Sequence, residues 1–98
     1  MQPTVENMRT CEIGSDFIAE ADFLAHRISV RCVYEPAHWC WVPHVFLVAE
    51  SGLRRLTDIS LRLRASSRLG AVHLGMQFAV TQLLLDDMAV KLRPSAET

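Results

Sequence analysis

The stretch LAHRISVRCVYEPAHWCWVPHVFLVA, residues 24–49, decides the fold. From Leu24 the pattern has period two. Leu24, His26, Ile28, Val30, Cys32 and Tyr34 share one face; Ala25, Arg27, Ser29, Arg31 and Glu35 share the other, with Val33 alone out of type. This alternation predicts an antiparallel strand with one buried face and one solvated arginine face. Pro36-Ala37-His38 ends it in a turn, because proline has no N–H to give a ladder. Trp41 to Ala49 forms the next strand. Trp41, Pro43, Val45 and Leu47 lie on one face, and Val42, His44, Phe46 and Val48 on the other. Both faces are largely apolar, which predicts cover on both sides. Pro43 is expected at a bulge or at the true start of pairing.

Downstream, Ser51-Gly52 makes a turn. Ile59, Leu61 and Leu63 alternate with Asp58, Ser60, Arg62 and Arg64, predicting a third strand within residues 53–64, with a break near Thr57-Asp58 that splits it. Ser66-Ser67 then offers N-cap hydroxyls before a helical pattern over 67–91, and Arg93-Pro94 stops it. Leu69, Val72, Met76, Ala79, Leu83 and Val90 form one stripe, and Ala71, Leu74, Phe78, Leu85, Ala89 and Leu92 a second. Upstream, Phe17, Ile18, Ala21 and Leu24 are spaced for a short helical turn capped by Ser15, and residues 1–14 show no periodicity.

The sequence therefore predicts an α+β fold: a three- to four-stranded antiparallel meander with one long C-terminal helix packed on it. Residues 1–14 are expected to be a mobile arm, 15–93 the single domain and 94–98 a tail. Ninety-eight residues leave no room for a second domain, and with half of them apolar and 21% charged the chain is globular.

Trp41-Val42-Pro43-His44-Val45, followed by a turn, an alternating strand and a helix opening at Ser66-Ser67-Arg68-Leu69-Gly70-Ala71, resembles small bacterial proteins with a W-x-P-x-V strand. The resemblance spans residues 23–88. It implies a β-meander plus helix and carries no activity.

Two apolar stripes exceed what one sheet face can cover. A 25-residue helix is about 37 Å long, against roughly 27 Å for an eight-residue strand. The expected solution is an isologous homodimer, with Gly70 and Gly75 admitting another backbone. Its contact surface is predicted from Trp39, Trp41, Phe46, Leu74, Phe78 and Leu85.

Other clusters compete. Cys32, His38, Cys40 and His44 offer four zinc-type ligands within thirteen residues, but zinc knuckles space paired ligands more tightly. No cofactor is expected. Trp39-Cys40-Trp41 places two indoles where a strand would aim them the same way, toward a planar ligand or a protein contact. Arg54, Arg55, Arg62, Arg64 and Arg68, offset by Asp58, give +4, while residues 1–25 carry −4. That asymmetry suits either a nucleic-acid face or an acidic arm lying on a basic strand. Phosphate-cradling loops, nucleophile elbows and helical metal-binding His pairs are absent from the sequence. With a net charge of −1 and an odd cysteine count, the expectation is a cytoplasmic, bacterial or phage-encoded, non-enzymatic protein–protein interaction module that does not enter membranes. A nucleic-acid-binding regulator using the five arginines is the alternative.

Overall fold

Residue 30 lies at the middle of the core, and everything else is arranged around its strand. The computed structural model describes residues 5–57 and 63–92. Five strands run antiparallel in chain order, β1 (Glu6–Ile13), β2 (Asp16–Phe23), β3 (His26–Glu35), β4 (Cys40–Ala49) and β5 (Gly52–Arg55). One helix, α1 (Arg68–Leu92), lies across a single face of this meander, chiefly against β4 and β3. The expected α+β class holds. The strand count is corrected from three or four to five.

The correction comes from the N-terminus. Residues 6–13, which show no periodicity, form β1. They are exposed throughout, so no apolar rhythm marks them. Asp16–Phe23 is a strand and not a helical turn. Phe17, Ala19 and Ala21 are buried beside Cys32, Val30 and Ile28 of β3, and the residues between them face away. Gly14-Ser15 closes the β1–β2 hairpin, with Gly14 at φ +61° in the first central position, the place a type II′ turn reserves for glycine.

Strand β3 obeys the predicted alternation where it matters: Ile28, Val30 and Cys32 are fully buried. Leu24, His26 and Tyr34 share their parity but are exposed, because they lie at or beyond the ends of helix cover. In β4, Pro43, Val45 and Leu47 are buried under α1, whereas Val42, His44 and Phe46 are only half-buried. The expectation of cover on both faces is thus met on one.

Pro43 sits in register opposite Cys32, with no bulge. Its neighbours on the same side of the strand explain this. Trp41 N–H bonds to Ala65 O at 2.8 Å, and Val45 N–H bonds to the Thr57 hydroxyl at 3.2 Å. Period two puts position 43 on that same outer side, where β5, confined to Phe46–Ala49, does not pair with it. A residue without an N–H costs no ladder bond there. The predicted alternation Ile59, Leu61 with Ser60, Arg62 lies outside the described residues.

The helix begins as expected. Ser67 Oγ accepts the Gly70 N–H at 3.0 Å, an N-cap bond. Ala71, Val72, Met76, Ala79, Val80 and Leu83 are buried, while His73, Gln77 and Thr81 face solvent. Gly75 has a cause other than a second copy: it is buried against the chain's own Val30 and Pro43. No described helix is long and apolar enough to cross a membrane.

Candidate interaction surface

Only one face of the sheet lies under α1. On the other, the register lines up the residues that β1 to β5 turn away from the core. Across the middle run Arg9, Glu20, Ser29, Phe46 and Arg55; the adjacent row holds Cys11, Ile18, Arg31 and His44. Next to that row, Val33 and Val42 stand directly opposite each other. Val33 is the one apolar residue on the arginine side of β3.

Arg9, Arg27 and Arg31 on this face are already matched by carboxylates. Arg31 Nη2 lies 2.6 Å and Nε 2.7 Å from Asp16 Oδ2. Arg27 is 3.5 Å from Asp22, and Arg9 is 3.5 Å from Glu20 and 4.0 Å from Asp22. Asn7 Nδ2 donates to Asp22 at 3.1 Å. That bond leads the causes that hold the Asp22 carboxyl below its ordinary range, with the two arginines adding to it against partial desolvation. The acidic N-terminal residues therefore do lie against arginines of the same chain, but chiefly those of β3.

His44 sits among cations. Arg55 Nη2 donates to His44 Nδ1 at 2.7 Å, Arg55 Nε donates to Thr57 O at 2.6 Å, and the guanidinium lies 5.7 Å from the Phe46 ring centre. Burial, then Arg55 and Arg31, hold the His44 ring below the usual imidazole range, with Asp16 acting the other way. A neutral ring leaves Nδ1 free to accept from Arg55.

The other predicted residues do not converge. Trp39 is 81% exposed in left-handed conformation (φ 53°), capping the 3-10 turn Pro36–His38. It is not in a strand, so it does not share a patch with Trp41. Trp41 packs on the core edge and meets Tyr34, its cross-strand partner, at 5.3 Å between ring centres. Phe46 is on the bare face; Leu74 and Phe78 are half-buried on the helix, and Leu85 is exposed near its end. Arg54 pairs with Leu47 on the helix side, and Arg55 is on the bare face. Arg64 is 3.6 Å from Glu35, and Arg68 is 2.7 Å from Glu12 and 4.7 Å from the centre of the Phe17 ring. Arg62 lies outside the described residues. The arginine stripe is thus distributed over both faces and the helix start.

The four thiol and imidazole groups are also separated. Cys32 is buried under the helix, and His44 is on the opposite face. His38 is exposed and paired with Glu35, and Cys40 is buried at the start of β4. Among the described residues no three such groups converge on one point. Burial pushes the Cys32 thiol up to about 11. No family model, curated protein or solved structure matches the chain.

Proposed function

We propose that the protein is a small non-enzymatic protein–protein interaction module, homodimeric, cytoplasmic and of bacterial or phage origin, that presents its bare sheet face to a protein partner. One observation carries this reading: the face sets an apolar pair, Val33 and Val42, and a half-buried Phe46 two rows away among Arg9, Arg27 and Arg31, which carboxylates of the same chain already match. Phosphate binding draws on cations that are free to exchange counterions. A surface whose arginines are mostly matched, with an aromatic in its middle row, instead suits a mixed apolar and polar protein contact.

The test is capture from source cells by the tagged protein, with and without nuclease and at low and high salt. A partner retained after nuclease and in high salt, and lost with Phe46→Ala at unchanged far-UV circular dichroism, supports the reading. Capture that depends on nucleic acid, with a gel shift weakened in Arg54→Ala/Arg55→Ala, would replace it with the nucleic-acid alternative.

A further inference from the structure

Two edges bound the sheet, and they differ. β5 has four residues, two of them Arg54 and Arg55, so it is short and charged as guarded edges are. β1 has eight residues and is exposed along its whole length. The helix does not close over it. A groove of about 430 Å³ separates β1 from α1, with Met8 and Thr10 on one wall and Leu69, Val72 and Met76 on the other.

The hydrogen-bonding state of β1 follows from its hairpin. Residues flanking a two-residue turn exchange both backbone bonds, and bonded and non-bonded pairs alternate from there. Ile13, Cys11 and Arg9 therefore bond inward to Asp16, Ile18 and Glu20. Thr10 and Glu12 direct their N–H and C=O outward. The regular run is Arg9 to Ile13, because the register shifts between Glu6 and Arg9, where Asn7 takes φ +56°.

We propose that β1 is the seam of the homodimer: Arg9–Ile13 of two copies pair antiparallel about a two-fold axis at Cys11, joining two sheets into one. The proposal rests on the homodimeric reading above and names its contact. A two-fold axis normal to the sheet pairs residues that share a face, so only a few centres are available. Centred on Cys11, Arg9 meets Ile13, Thr10 meets Glu12 and Cys11 meets Cys11, so the whole regular run is used. Centring on Thr10 or Glu12 loses pairs to the bulge or the turn, and the Glu12 centre opposes two carboxylates. A centre on Arg9 opposes two guanidiniums. The Cys11 register opposes no like charges.

Side chains fit the same register. Glu12 is already held by Arg68 of its own chain at 2.7 Å, so it enters the seam neutralised. Ile13, 54% exposed, comes under the aliphatic stem of Arg9 from the second copy. The bare faces then form one continuous surface.

Cys11 reports on the seam. It would form a non-hydrogen-bonded pair, with Cα atoms about 4.5 Å apart, within the range a disulfide spans. Cys32 and Cys40 are buried, which leaves Cys11 as the exposed thiol. The experiment combines sedimentation equilibrium of the reduced protein at tens of micromolar with diamide oxidation and non-reducing electrophoresis. On oxidation each thiol gives up a proton and an electron, the S–S bond forms, and diamide is reduced to its hydrazine. The expected result is a dimer that diamide traps covalently, with the trapped species missing in Cys11→Ser. Thr10→Pro removes an outward N–H and leaves the β1–β2 ladder whole, so it raises the dimer Kd about tenfold or more at unchanged circular dichroism. Should that variant unfold, the wild-type cross-link decides alone. A reduced dimer that neither cross-links through Cys11 nor responds to Thr10→Pro overturns the seam and keeps the homodimer. A monomer in the reduced wild type overturns both.

Discussion

Gly75 of the helix rests on Val30 of the central strand: a β-carbon placed on Gly75 would lie 2.6 Å from Val30 Cγ1 and 3.2 Å from Pro43 Cβ. A side chain at this position would push α1 away from the sheet or displace Val30 and Pro43. Gly75→Ala gains about 1 kcal/mol of helix propensity. Overpacking against fully buried, stiff β-branched and proline neighbours costs about 1–3 kcal/mol. The expected net effect is a loss of up to about 2 kcal/mol, seen as a fall in Tm of up to about 15 °C. In a Val30→Ala background the added methyl has room, so its cost should shrink or reverse. Equal costs in both backgrounds in a double-mutant cycle would refute the contact as the cause.

The β2–β3 turn is built from the wrong residues. Leu24 and Ala25 both take positive φ, 48° and 63°, between the paired Phe23 and His26. A type I′ turn asks this of Asn-Gly, and an L side chain there costs about 1–2 kcal/mol. Leu24→Asn/Ala25→Gly should therefore raise the urea midpoint by about 1 kcal/mol of stability at unchanged m. No gain would mean the turn is not strained.

His44 ties stability to pH. Its folded-state pKa is depressed, by burial first and then by Arg55 and Arg31, with Asp16 opposing. The stabilisation is fully present above the ordinary imidazole value of 6.5 and is lost as pH falls below it. Denaturation midpoints should decline between neutral pH and pH 5, and His44→Gln should flatten that decline. A variant that declines as steeply as wild type would contradict the assignment.

Cys32 acts at the other end of the scale. Its thiol is raised by burial to about 11, so the neutral form is favoured in the folded state. Its contribution is whole below the ordinary thiol value and fades as pH rises toward 11, a loss of about 2 kcal/mol by then. Cys32→Ala should be less stable at pH 8 yet lose less between pH 8 and 11. The thiol reagent DTNB should label Cys11 well before Cys32 in the native protein, and simultaneous labelling would count against the burial.

Much of the framework was legible in residues. Ile28, Val30 and Cys32 announced the core strand and Ser67 announced the helix start, whereas the pairing of Val33 with Val42 on the bare face came only from the register. The residues of β2 predict a helical turn, although Phe17, Ala19 and Ala21 alternate with Asp16, Ile18, Glu20 and Asp22. Its alanines and the i, i+4 spacing of Phe17 and Ala21 imitated a helix. β1 left no signal, because a strand exposed on both faces needs no apolar rhythm.

Sequence alone determined that Ile28, Val30 and Cys32 of β3 and Val72, Met76, Ala79 and Leu83 of α1 are core residues, because burial of one face imposes a period that neighbouring residues must keep. Tertiary structure decided what those faces meet. Gly75 fits the chain's own Val30, the arginines divide between two faces and the helix start, and Pro43 occupies a position on the outer side of β4 that β5 does not pair with. These outcomes depend on pairings between residues far apart in the chain, and local periodicity carries no information about partners at that distance.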